Sequence, residues 1–190
     1  MKRPYQLKQR AQRQAETRQR IVEAAVGLHT TVGPARTTIS AIAERAGVER
    51  HTVYAHFPDD RTLFAACAGH WRALHPRPDL QQQLGLADPA ERLSAVLTAL
   101  YGWYAEVEPD VAVLRRDAEL VPASGEQMAV TAKAIAQLGD TLARGFPRRK
   151  AVRAAIGHAL EYETWRSLER RQGLTRRQAA EAMARLVAAS

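Results

Sequence analysis

Apolar positions along this chain recur every three to four residues, and no run alternates apolar with polar over the length of a strand. The first stripe is Ile21, Ala24, Ala25 and Leu28, which fall at i, i+3, i+4 and i+7 on one helix face and stop at Gly33-Pro34. Before it, residues 1–15 are polar with no repeating apolar face, which predicts a disordered arm. A second helix opens at Thr38, whose hydroxyl can cap free N–H groups, and runs through Ile39, Ile42 and Ala43 to Ala46, where Gly47 stops it. A short third helix covers about 49–56 and ends at Phe57-Pro58. A fourth, capped by Asp59 or Asp60, carries Leu63, Phe64, Cys67, Trp71 and Leu74.

The prolines of His75-Pro76-Arg77-Pro78 end that helix, and 76–87 reads as a linker or loop. Asp88-Pro89-Ala90-Glu91 then gives an acidic N-cap, proline at the first helical position and glutamate at the third. The helix it starts is predicted to reach about Val107. Glu108-Pro109 begins another, broken at Val121-Pro122. Further helices fit 125–144 and 148–171, and the capping pattern Thr175-Arg176-Arg177-Gln178 starts a last one to about Ala189. The pattern therefore predicts an all-α chain of about nine helices. It divides into a basic arm (1–15), a three-helix head (16–62) and a helical body (63–190).

In the head, two short helices that cross steeply need a turn residue tolerant of positive φ, and Gly47 supplies one. Val48 fills the space between them, and Val53 and Phe57 face a core of Leu28, Ile39 and Ile42. That leaves Arg50, His51, Thr52, Tyr54, Ala55 and His56 outward or lateral. A helix lying in a major groove would use Arg, Thr or His on base edges and Tyr or His on phosphates, with Ala55 against a thymine methyl.

Charge strengthens this picture. The chain has a net charge of +8, and residues 1–58 hold ten Lys/Arg against four Asp/Glu, a balance of +6. The remaining residues hold eighteen against sixteen, only +2. The excess sits where phosphates would be met. The plainer alternative is a solubilising basic tail.

Other classes find little support. Apolar residues make up 46% of the chain, but no stretch nears the roughly 20 uncharged residues of a membrane span. The start, Met1-Lys2-Arg3 followed by Gln and Arg, has no apolar signal region. Cys67 is the only cysteine, which excludes a disulfide framework and multi-cysteine zinc sites and fits a reducing cytoplasm. Phosphate-binding, nucleophile-elbow, metalloprotease and dinucleotide motifs are absent, so neither an enzyme nor a cofactor is expected. Cys67, His70 and His75 are the only conceivable metal-sensing set, and they lack a well-placed additional ligand.

Residues from about 17 to 68 resemble the DNA-binding domain of the TetR/AcrR family of bacterial regulators. The resemblance rests on Ile21 to Ala25, Thr38-Ile39, Ile42-Ala43, Ala46-Gly47-Val48, Thr52-Val53-Tyr54, His56-Phe57 and Leu63-Phe64. It implies DNA contacts at Thr38, Thr52, Tyr54 and His56, with Arg50 and His51 near bases. Two positions depart from the family pattern. Pro34-Ala35 follow Gly33 where an aromatic residue is common, and Asp59-Asp60 stand near the usual lysine, with Arg61 as the nearest substitute.

For the body, the resemblance implies a cytoplasmic homodimer joined through its last two helices, often around a ligand pocket, and repression as the usual mode. Apolar faces exist on both helices: Val152, Ala155, Ile156, Ala159 and Leu160 on one, Ala179, Met183, Leu186 and Val187 on the other. A dimer also follows from selectivity, because one head reads few base pairs and two-fold symmetry doubles the readout, with recognition helices about 34–36 Å apart. Trp103, Tyr104, His158, Tyr162 and Trp165 are the candidate walls for a small, mostly apolar effector, although aromatic stripes also build cores. The expected function is thus a repressor that binds palindromic duplex DNA and is released by such an effector. The alternative is a basic nucleoid-type binder without operator preference.

Overall fold

The computed structural model describes the backbone of residues 3–190 and the side chains of residues 6–190. The described residues form ten α-helices and no strand. They divide into two compact units, Met1–Pro76 with Pro109–Met128, and Arg77–Glu108 with Ala129–Ser190.

In the first unit, α1 spans Arg3–Thr31. The sequence predicts a disordered arm over 1–15, whereas the helix continues back to Arg3. The reason is composition: residues 6–16 are Gln, Leu, Lys, Arg, Ala and Glu, all good helix formers with no glycine or β-branched residue. Gln12 donates to Glu16 one turn on at 3.1 Å. Met1 and Lys2 of that arm, and the side chain of Arg3, lie outside the described residues.

A 3-10 turn (Pro34–Arg36) leads to α2 (Ile39–Ala46), α3 (Arg50–His56) and α4 (Asp60–Leu74). Their apolar faces meet in one core of Ile21, Ala25, Ile42, Val53, Phe57, Leu63 and Cys67, with Leu28, Ile39 and Val48 at its edge. The helix ends explain the sharp path of the chain. Thr38 Oγ1 accepts the Ala41 N–H at 3.1 Å, and Gly47 takes φ 65° and ψ 42°, a left-handed cap in which a side chain would be strained. Asp59 caps α4, its Oδ1 accepting the Thr62 N–H at 2.7 Å.

A short α5 (Gln81–Leu84) precedes α6 (Pro89–Asp117) and α7 (Pro122–Leu142), and the two units part within these long helices, at Pro109 and Met128. The sequence predicts a break at Glu108-Pro109, yet α6 runs through it. Proline removes one N–H from the ladder, but both flanks are anchored. Val107 is buried and Glu108 accepts from Arg170 at 2.7 Å, while Asp110 accepts the Trp71 indole N–H at 2.7 Å.

The helix predicted over 148–171 divides into α8 (Lys150–Ala159), α9 (Tyr162–Arg166) and a π-helical turn, Ser167–Arg171. Glu161 is extended at the break. Two buried phenols take up the carbonyls it frees: Tyr101 donates to Ala159 O and Tyr104 to Leu160 O, each at 2.7 Å. The last helix, α10 (Arg176–Ala188), carries the predicted capping box at Thr175 and Gln178.

Candidate nucleic-acid interface

The turn between α2 and α3 fixes which side chains face outward. Val53 is fully buried and Phe57 nearly so, which turns the opposite side of the seven-residue α3 to solvent. Arg50 and His51 are exposed in its first turn, and Tyr54 is 48% exposed. Thr52 and His56 are half-buried at the flanks, the Thr52 hydroxyl 3.4 Å from His51 Nε2. Thr38 stands exposed at the start of α2. The head thus holds all six predicted contact residues, five of them along one short helix.

Basic residues of α1 brace this pair from behind. Arg20 donates to the Ala46 carbonyl at 3.3 Å, and the Arg18 guanidinium lies 4.7 Å over the Phe57 ring. They hold the C-terminal ends of α2 and α3.

Asp59 departs from a basic pattern because its carboxylate is committed to the α4 cap. Arg61, the residue expected to substitute for a lysine there, is paired with Glu126 at 2.6 Å. Cys67 is buried in the head core, where burial pushes its thiol up to about 12. His70 lies 3.3 Å from Gln19, and the described residues hold no cluster of three His, Cys, Asp or Glu placed to bind a metal. His29 was not singled out by pattern. It is buried, stacked on Phe64 at 4.6 Å, and desolvation lowers its pKa to about 4.

The candidate effector residues do not form one wall. Spacing on an unbroken helix would place His158, Tyr162 and Trp165 together, but the break after Ala159 separates them. His158 is exposed, with Thr164 Oγ1 3.3 Å away, whereas Tyr162 and Trp165 are buried with rings 5.1 Å apart. Tyr104 packs on both, at 5.5 Å and 5.9 Å. Trp103 is half-buried, its ring 5.9 Å from the Arg77 guanidinium. A separate open groove of about 580 Å³ is lined by His158, Thr164, Leu168, Met183 and Leu186 among others, so only His158 of the five borders it. The apolar faces read on the last two helices are spent inside the chain: Val152, Ile156, Ala159, Leu160, Ala179, Met183 and Val187 are all buried. Leu186, by contrast, is 59% exposed.

Comparison with known proteins bears on the head most directly. Residues 21–67 match the model of bacterial regulatory proteins, tetR family. An uncharacterised HTH-type transcriptional regulator of Mycobacterium tuberculosis is 44% identical over 52 residues, and one of Mycobacterium bovis matches equally. The matched segment is 27% of this chain and spans only 28% of those relatives. Solved structures extend the likeness of fold to nearly the whole chain. A candidate TetR-family regulator from Mesorhizobium loti is 19% identical, with a TM-score of 0.62 over 93% of this chain and 97% of that one. A candidate fatty acid metabolism regulator from Clostridium perfringens is 17% identical, with a TM-score of 0.61 over 90% and 97%. A helix-turn-helix head followed by a helical body is thus the fold shared with these solved structures, and within the head residues 21–67 are similar to the tetR family of bacterial regulatory proteins.

Proposed function

We propose that this protein is a cytoplasmic, homodimeric transcription regulator that binds a palindromic duplex and represses from it. The observation that carries this reading is the outward face of α3, where Arg50, His51 and Tyr54 stand exposed between the half-buried Thr52 and His56. These groups can reach base edges and phosphates together, and Thr38 adds a hydroxyl at the start of α2. Selection of binding sites from a random duplex library by the full-length protein tests it. An inverted repeat protected as two half-sites supports the reading, and diffuse occupancy without a motif overturns it.

Dimerisation through α8 and α10 is supported by what remains outside their packed faces. Ala151, Ala154 and His158 are exposed along α8 at i, i+3 and i+7, and Leu186 is exposed on α10. Small residues in such a row let two helices approach closely, and Leu186 supplies apolar area. Release by a small, mostly apolar effector is supported by the cluster of Tyr104, Tyr162 and Trp165. The buried indole N–H of Trp165 has no hydrogen-bond partner among the described residues, which suits a ligand carrying one acceptor. The candidate role of the Clostridium perfringens neighbour in fatty acid metabolism points the same way. An effector acts only by binding one arrangement of the two heads better than another. Titrating hydrophobic compounds while following tryptophan fluorescence and duplex release tests this part, and no response across a broad panel counts against it.

A further inference from the structure

The connection from α1 to α2 is held by side chains that lie more than eighty positions downstream. Gly33 turns at φ 102°, Pro34–Arg36 make a single 3-10 turn, and Thr38 caps α2. Asp117, the last residue of α6, is 2% exposed. Its Oδ2 accepts the Ala35 N–H at 3.0 Å, and Arg116 donates to its two oxygens at 2.7 and 3.2 Å. Arg116 Nη2 also donates to the Val32 carbonyl at 3.0 Å. A Cβ on Gly33 would lie 2.2 Å from Arg116 Nη2 and 2.3 Å from Asp117 Oδ2, so this approach needs glycine for space as well as for φ. All of these residues belong to the first unit.

A carboxylate removed from water is costly unless charged donors surround it. Here the donors tie it to the backbone of one connection, rather than to a neighbouring helix face. That connection ends on Thr38 and sets where α2 begins. From the same segment, Glu126 holds Arg61 at the start of α4.

We infer that Asp117 and Arg116 are positioning residues for the DNA interface, fixing the 32–38 connection and through it Thr38 and the first turn of α2. The inference rests on the DNA-binding reading. Asp117→Asn retains the shape and removes the charge. Its affinity for the duplex selected by the unaltered protein is expected to fall about tenfold or more, the effect of one lost charge-assisted hydrogen bond. Binding to a scrambled duplex of equal length stays within about twofold, since every basic residue is kept and one unit of added net charge changes phosphate attraction only slightly. In a Thr38→Ala background the loss shrinks to about threefold or less, because the two residues act on one contact. Amide exchange at Ala35 quickens in the variant without DNA. Should Asp117→Asn unfold the head, Arg116→Lys, which keeps a cation beside the buried carboxylate but loses the fork that also reaches the Val32 carbonyl, gives the same comparison. Undiminished affinity for the selected duplex overturns this inference alone. So does an equal loss on scrambled DNA or in the Thr38→Ala background, each of which makes the pair a general stabiliser. If the unaltered protein selects no duplex, the DNA-binding reading falls and this inference with it.

Discussion

Arg50 and His51 open α3 in the exposed first turn of a helix whose other side is sealed by Val53, so they are free to meet a groove without disturbing the core. Arg50→Ala is therefore expected to weaken binding to a selected duplex by about 1–3 kcal/mol, the discrimination of one bidentate base contact, and to relax preference at one base pair. Its melting temperature stays unchanged, which a fluorescence melt beside a gel-shift titration would check. His29 behaves in the opposite way, affecting stability rather than binding. Its imidazole takes up a proton near 6.5 when unfolded and only near about 4 when folded, because burial penalises the charge. Between those values the unfolded chain binds more protons, so stability falls as pH drops through that window. The limit is about 3 kcal/mol. Denaturant midpoints at pH 7 and pH 4.5 would show the loss, and His29→Phe would abolish most of it. Residue types and spacing made the outward face of α3 legible in advance. Asp117 was not, because its partners Val32 and Ala35 are distant in sequence and are reached through the backbone, which carries no side-chain signature.

At the level of elements, starts and stops set by local chemistry were readable, whereas those decided by tertiary contacts were not. Thr38, Gly47 and Thr175 act within three or four residues of themselves, and each terminus they predict is present. Pro109 and the division at Leu160 invert the local signals: a helix passes through a proline, and another breaks in an alanine-rich stretch without one. The second case yields a test. Tyr101→Phe leaves the buried Ala159 carbonyl without its donor and is expected to cost about 1–3 kcal/mol. Chemical denaturation would measure it, and no change would mean that the break does not depend on the phenol. The basic stretch before Ile21 is a further case. Lys8, Arg10 and Arg13 are exposed on α1 ahead of its buried stripe. If Lys8, Arg10 and Arg13 contribute two phosphate contacts, deleting residues 1–14 lowers the slope of log affinity against log salt by about 2. An unchanged slope rules those contacts out.

For the molecule as a whole, the uneven charge of the sequence maps onto the head that holds the candidate interface and a body nearly balanced in charge. Burial of the apolar faces on α8 and α10 within one chain narrows what a second copy could touch, and Leu186 becomes the natural probe. Leu186→Arg is expected to shift the protein toward monomer in light scattering and to weaken binding to an inverted repeat more than to a single half-site, since only the former needs both heads. The sole thiol has a practical consequence for such experiments. Cys67 is sealed in the head core and stays protonated at neutral pH, so maleimide reagents find no native target in the folded protein. A cysteine introduced at an exposed position outside α3, such as Ala65 on α4, would be the single labelling site per chain. Paired spin labels there would report the distance between two heads, with and without duplex or effector, on otherwise unaltered protein.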